Sequence, residues 1–118
     1  MKTTDAALRL AALGHEKRLA VFRLLVQAGP EGLSAGAIGE KLALAPATLS
    51  FHLAHLSRVG LIIGRQESRF IFYSADYPEM DDLLGFLTQN CCNGGSCLPK
   101  TTAANTPAKR RRSTCKIT

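Results

Sequence analysis

The sequence has 118 residues, of which 46% are apolar, and this is enough to form the core of one small domain. It has no apolar run of membrane-spanning length, and its first residues lack the basic-then-apolar layout of a secretory signal, so we expect a soluble, cytoplasmic protein. The formal net charge is +6, but residues 1–97 carry nine Lys/Arg against nine Asp/Glu. The excess positive charge therefore lies after residue 97, and net charge alone does not indicate nucleic-acid binding.

Two helices are predicted first along the chain. Residues 4–13 are rich in Ala and Leu and contain no helix breaker before Gly14. A second helix is predicted from about His15 to Ala28, because its apolar residues recur at helical spacing. The run Gly29-Pro30-Glu31-Gly32 ends this helix, since Pro and Gly do not extend the hydrogen-bonded ladder.

Two shorter helices are predicted after this turn. Ser34 is suited to cap a helix that ends near Leu42. Pro46 suits the first turn of a helix over residues 46–59, in which leucines recur at the i, i+4 and i+7 positions of a core-facing stripe. A short connection joins the two helices, as in a helix-turn-helix unit.

A hairpin and a fifth helix are predicted next. Residues 61–65 and 69–74 are short β-branched and aromatic runs, and the polar residues 66–68 between them predict a β-hairpin. Residues from about Asp76 to Asn90 predict a fifth helix with an acidic first turn.

The order of these elements predicts a mainly α fold with a small β-hairpin, the winged helix-turn-helix. In this fold the second helix of the pair enters the major groove of DNA, and the hairpin reaches phosphates or the adjacent minor groove. Arg65 and Arg69 flank the predicted hairpin tip and are expected to anchor phosphates. The outer positions of helix 46–59 are the predicted DNA-contacting residues: Ala47, Thr48, Ser50, Phe51, His52 and His55.

All four cysteines lie in the last quarter of the sequence, at positions 91, 92, 97 and 115. In a reducing cytosol, clustered cysteines more often bind a metal or sense redox state than form a disulfide scaffold. Cys91, Cys92 and Cys97 offer three soft sulfurs, which suit trigonal pyramidal As(III) or Sb(III), whereas structural Zn(II) usually takes a fourth ligand. Adjacent residues of an α-helix point about 100° apart, so binding one ion is expected to unwind or end the fifth helix at these cysteines.

The composition after Cys97 cannot bury a core. We therefore expect a DNA-binding and dimerisation domain over residues 1–92, followed by a cysteine-containing loop and a basic disordered tail over residues 93–118. Cys115 is expected to be accessory, and the basic run of the tail to add nonspecific affinity for DNA.

Three segments resemble the ArsR/SmtB family of metal-responsive repressors. These are the run from Leu13 to Val21 (LGHEKRLAV), the run from Thr48 to Ile62 (TLSFHLAHLSRVGLI), and Arg65-Gln66-Glu67-Ser68-Arg69 followed by Phe72-Tyr73. The likeness covers about residues 4–90. It implies a dimer held by the first and last helices, with metal binding releasing the DNA operator.

The sequence departs from this family at two places. Many members carry a Cys-x-Cys site on the helix that matches residues 34–42, and this stretch has no cysteine. The hairpin also lacks the usual glycine at its tip. The cysteines resemble instead the C-terminal triad of an arsenic-responsive branch, which implies that Cys91, Cys92 and Cys97 bind As(III), or Sb(III), as the inducer.

The sequence also allows other functions. A repressor of the same fold could respond to Cd(II), Zn(II) or thiol oxidation, and a thiol-rich metal-binding protein could use the fold for dimerisation without operator specificity. His52 and His55 could form a metal pair, although the same positions are predicted to face DNA. The sequence has no glycine-rich phosphate loop, nucleophile elbow or His-Glu-x-x-His motif, so we expect neither an enzyme nor an organic cofactor.

Overall fold

The computed structural model describes residues 1–94, which form five α-helices and a three-stranded antiparallel sheet. The elements are α1 (Thr3–Leu13), α2 (Glu16–Ala28), β1 (Leu33–Ser34), α3 (Ala35–Leu42), α4 (Pro46–Arg58), β2 (Ile62–Glu67), β3 (Phe70–Ala75), α5 (Tyr77–Thr88) and a 3-10 turn at Cys91–Gly94. Residues 1–87 form one compact unit, and a second unit begins at Thr88; the sequence placed this boundary after residue 92. None of the helices among the described residues is long and apolar enough to cross a membrane.

The helix ends follow local capping chemistry. His15 precedes α2, and its Nδ1 accepts a hydrogen bond of 3.2 Å from the backbone N–H of Lys17. Ser34 caps α3 as predicted, because its hydroxyl accepts from the N–H of Ala37 at 3.2 Å. Pro46 occupies the first turn of α4, where its missing N–H has no helical partner to lose.

The turn between α2 and α3 brings the chain against the sheet. Gly32 has φ +78°, and a Cβ built on it would lie 2.2 Å from the carbonyl oxygen of Tyr73. Only glycine allows this close approach. It lets β1, a two-residue strand that sequence patterning does not predict, pair with Tyr73 and Phe72 of β3.

The hairpin of β2 and β3, which we call the wing, is confirmed with a shorter turn than predicted. Glu67 pairs with Phe70, so the turn is Ser68-Arg69 and the strands include most of the predicted loop. Ser68 adopts φ +58° at the position where a glycine was noted as missing. The polar residues assigned to the loop therefore extend β2 instead.

The core lies where α2, α4 and the base of the sheet meet. Its largest fully buried side chains are Val21, Leu25, Ile38, Leu56 and Leu61. The start of α5 is fixed to α2, because the Tyr77 hydroxyl donates to the carbonyl oxygen of Val26 at 2.9 Å. This packing holds α4 with one side against the core and the other toward solvent.

Candidate nucleic-acid interface

The outward face of α4 is exposed along its length. Leu49, His52, Leu53 and Leu56 are its buried residues. At about 100° per residue, the centre of the opposite side is occupied by positions 47, 51, 54 and 58. All four are exposed, so α4 presents a continuous surface to any ligand that approaches from solvent.

Most of the residues predicted to contact DNA lie on this face. Ala47, Thr48, Ser50 and Phe51 are exposed, and His55 is half-buried at the edge of the face. The prediction that His52 lies on the outer face is wrong, because only 3% of this residue is exposed. His52 lies three residues after Leu49 and four before Leu56, so helical spacing places it on the core side.

His52 is held between α2 and α4. Its Nδ1 lies 3.4 Å from a terminal nitrogen of Arg18, and its ring centroid lies 4.9 Å from that of His15. Arg18 is a donor only, so Nδ1 must accept and the imidazole is neutral. The Nε of Arg18 also donates to the carbonyl oxygen of Ala12 at 2.7 Å, which links the end of α1 to α4.

These surroundings change the pKa of both histidines on α4. Burial lowers the pKa of His52 below its usual 6.5, and the neighbouring positive groups His15, Arg18, Lys17 and His55 lower it further. Burial lowers the pKa of His55 as well, followed by the charges of Arg18 and Arg58. A metal site at His52 and His55 is not supported, since no third His, Cys, Asp or Glu side chain is grouped with them among residues 1–94.

The two wing arginines lie in different surroundings. Arg69 occupies the two-residue turn and is exposed. Arg65 pairs across the sheet with Phe72, three residues before the turn. Its Nε lies 2.7 Å from a carboxylate oxygen of Glu67, and a terminal nitrogen donates to the carbonyl of Glu31 at 3.1 Å. Both residues are exposed, but Arg69 lies in the turn at the wing tip, whereas the guanidinium of Arg65 is already bonded to Glu67 and Glu31.

Two further exposed positions of the same face were not predicted from the sequence. Ala54 and Arg58 continue the line that Ala47 and Phe51 begin. Following the helical spacing of Ala47 and Phe51 along the helix to positions 54 and 58 would have found them. Arg58 adds a positive charge near the end of the face.

The cysteine segment begins after α5 has ended. The helix stops at Thr88 rather than Asn90, and Asn90 and Cys92 adopt φ +57° and +56°. The expectation that ion binding unwinds or ends the fifth helix at these cysteines is wrong, because α5 already ends at Thr88 and Cys91 and Cys92 lie in the 3-10 turn that follows. Cys97 and Cys115 lie outside the described residues.

The sulfurs of the two described cysteines are close together. Cys91 Sγ and Cys92 Sγ lie 3.6 Å apart. Cys91 is a free thiol, and Cys92 is disulfide-bonded. Among residues 1–94 no three His, Cys, Asp or Glu side chains are grouped so that they could hold a metal ion.

Comparison with known proteins identifies the family. A family model described as a helix-turn-helix domain matches residues 13–65. The transcriptional activator HlyU of Vibrio cholerae is 32% identical over 90 residues, which cover 76% of this chain and 81% of HlyU. The chain belongs to the winged helix-turn-helix transcriptional regulators.

Solved structures of such regulators share the fold. Reduced HlyU from Vibrio cholerae superposes with a TM-score of 0.61 at 31% identity, covering 76% of this chain and 92% of HlyU. An ArsR-like regulator from Rhodococcus sp. RHA1 gives 0.69 at 24% identity, covering 77% and 83%. A Mycobacterium bovis domain described as a homodimeric winged helix-turn-helix gives 0.58 at 22% identity, covering 78% and 85%. By comparison with these structures, α3 and α4 of this chain are the helix-turn-helix pair, and β2–β3 is the wing.

Proposed function

We propose that this regulator is a homodimeric repressor that binds an inverted-repeat operator and is released from it by As(III) or Sb(III). The inducer ion would be bound by Cys91, Cys92 and Cys97. The observation that carries the DNA-binding part is the exposed outer face of α4, with Arg69 at the tip of the neighbouring wing. A helix with one solvent-facing side and a hairpin beside it fits the major groove and the flanking backbone.

The dimer is supported by apolar side chains on the first and last helices. Four leucines there are 42–56% exposed: Leu8, Leu10, Leu84 and Leu87. Contact with a second copy would remove this apolar surface from water. The Mycobacterium bovis domain of the same fold is described as homodimeric, and a two-fold dimer requires a two-fold operator.

The inducer site is supported by the spacing of the first two sulfurs. Metal–sulfur bonds of about 2.3 Å place two sulfurs of one site within about 4.6 Å of each other. The 3.6 Å between Cys91 Sγ and Cys92 Sγ meets this requirement, provided that both thiols are reduced. Soft thiolates favour a thiophilic ion, and the third sulfur of the proposal, Cys97, lies outside the described residues.

The test is release of operator-bound protein by arsenite, measured by fluorescence anisotropy under reducing conditions. Ser at Cys91, Cys92 or Cys97 is expected to leave operator affinity unchanged and to abolish release. Cys115→Ser is the matched control and should respond as the unmodified protein does. Undiminished release from a Cys91→Ser, Cys92→Ser double variant would overturn the proposed inducer site.

A second candidate signal, thiol oxidation, is favoured by one observation. Cys92 is disulfide-bonded while its neighbour Cys91 is a free thiol, so a cysteine of this segment can exist in the oxidised state that peroxide would produce, with peroxide reduced to water. Titrating the reduced, operator-bound protein with peroxide in the absence of added thiol separates the two signals. Release by peroxide but not by arsenite would favour thiol oxidation as the signal. Release by arsenite but not by peroxide would favour the metalloid.

A reporter gene behind the operator tests the sign of regulation. HlyU is named as an activator, whereas the proposal for this chain is repression relieved by the inducer. Deleting the gene for the regulator should raise reporter expression without inducer. A fall in expression would instead indicate activation.

A further inference from the structure

The outward face of α4 is apolar at its centre. Phe51 is 63% exposed, more than any other large apolar side chain of the described residues. Its neighbours along the face are Ala47, four residues before, and Ala54, three residues after. Residues at these separations adjoin on a helix surface, and alanine is too small to cover an aromatic ring. The phenyl ring therefore projects from the middle of the face that the proposed function places in the major groove.

The ring is held in place from one side. Its centroid lies 5.5 Å from that of His52, and the two rings meet edge to face at 66°. His52 is itself fixed by Arg18 and by the ring of His15. Phe51 is thus supported by a buried neighbour, and its outer surface remains available for contact. An exposed ring that is already positioned loses little side-chain entropy when it binds.

The chemistry of the major groove limits what such a ring can contact. Base edges there present hydrogen-bond donors and acceptors, and the apolar group among them is the 5-methyl of thymine. A phenyl ring placed against a polar base edge would remove water without replacing its hydrogen bonds, which is unfavourable. Placed against a methyl group, the same ring removes apolar surface from water on both sides.

We infer that Phe51 makes this regulator select thymine at one position of each operator half-site, by packing its ring on the 5-methyl group. The inference rests on the proposed function, because it assumes that α4 lies in the major groove. Ala47, on the same line of the helix, provides the small surface that lets the ring approach the base edge. Ser50, beside it, remains available for hydrogen bonding to a neighbouring base.

The experiment removes one methyl group from the DNA. An operator is first selected from random-sequence duplexes with the full-length protein, and each thymine of a half-site is then replaced by deoxyuracil. One thymine per half-site is expected at which this replacement weakens binding about three- to fivefold, the effect of burying one methyl-sized group. The same replacement should change the affinity of Phe51→Ala by less than about 1.5-fold. Phe70→Ala is the matched control, since Phe70 is a phenylalanine of similar exposure (60%) on the wing and should keep the full methyl effect.

The outcomes separate this inference from the proposed function. Selection of an operator whose affinity is insensitive to every thymine-to-deoxyuracil replacement would overturn the inference and leave the proposed function standing. Failure to select any sequence would overturn both. A change of oligomeric state in Phe51→Ala, measured by sedimentation without DNA, would assign Phe51 to a protein interface and overturn the inference as well. The deoxyuracil measurement on the unmodified protein needs no variant to fold.

Discussion

The imidazole of His52 is held without charge in the contact between α2 and α4. Arg18 donates to its Nδ1, and His15 lies against its ring. Protonation would place a proton on Nδ1 facing the guanidinium, so the charged form is disfavoured by burial and by charge repulsion together. Protonation of His52 therefore weakens the contact that holds α4 against α2.

The stability of the fold should fall as the pH is lowered below about 6.5. The pKa of His52 is lower in the folded chain than its usual 6.5, so below that pH the unfolded chain binds more protons. The stabilisation is fully present above pH 6.5 and is lost as the pH falls through the folded-state value. Urea unfolding at pH 7.5 and 5.5 measures it. His52→Gln, which cannot be protonated, should show a smaller loss than the unmodified protein, and an equal loss would contradict this role.

The two wing arginines should differ in their effect on the salt dependence of DNA binding. Each phosphate contact contributes about 0.9 to the slope of log affinity against log salt. Arg69→Ala should reduce the slope by about 0.9 per protomer on all sequences, because Arg69 lies in the exposed turn. Arg65→Ala is the comparison, since Arg65 is already bonded to Glu67 and Glu31, and it should change the slope less. A larger change in the salt slope from Arg65→Ala than from Arg69→Ala would mean that Arg65, and not Arg69, contacts the phosphate.

Among the secondary-structure elements, the close contact between the turn before α3 and strand β3 depends on Gly32. Gly32→Ala should destabilise the protein by roughly 2–5 kcal/mol, because the added Cβ meets the Tyr73 carbonyl and φ is +78°. Gly36→Ala is the matched control: nothing lies within 4 Å of its Cβ, and a helical alanine should stabilise by up to about 1 kcal/mol. Thermal and urea unfolding measure both. Equal stability of the two variants would contradict this account of the turn.

The elements that the sequence predicted correctly are those bounded by strong local signals. Pro46 and Gly60 enclose α4, and Ser34 caps α3 as expected. The two-residue strand β1 has no periodicity to detect, because it exists only through pairing with β3. The end of α5 was placed two residues too late, since Gln89 and Asn90 are compatible with a helix, and only the left-handed conformation of Asn90 excludes it.

The candidate site was predicted from the sequence less completely than the fold. Exposure of Ser50 and Phe51 followed from the leucine spacing of α4. His52 was assigned to the outer face because only the three leucines of the helix were taken as core-facing, although its spacing from Leu49 and Leu56 favoured the core. Its partners, Arg18 and His15, lie more than thirty residues earlier in the chain. A local sequence pattern does not predict contacts between residues so far apart.

At the scale of the whole molecule, the dimer should depend on α1 and α5. Leu8→Glu and Leu87→Glu each place a charge in the proposed interface, and the double variant should sediment as a monomer at micromolar concentration. Ile63→Glu is the matched control, because Ile63 is 49% exposed on β2 of the wing, and it should remain dimeric. A dimeric double variant would exclude these helices as the interface.

The proposed function requires that two copies of this chain bind one inverted repeat through α4. The most direct measurement is the stoichiometry and symmetry of the complex formed with duplexes selected from random-sequence DNA. We expect an enriched inverted repeat, with half-sites separated by about one helical turn or a multiple of it, bound by two protomers. Ser50→Ala should weaken that complex without dissociating the protein dimer. Enrichment of no sequence, or of a single half-site bound by one protomer, would contradict the account.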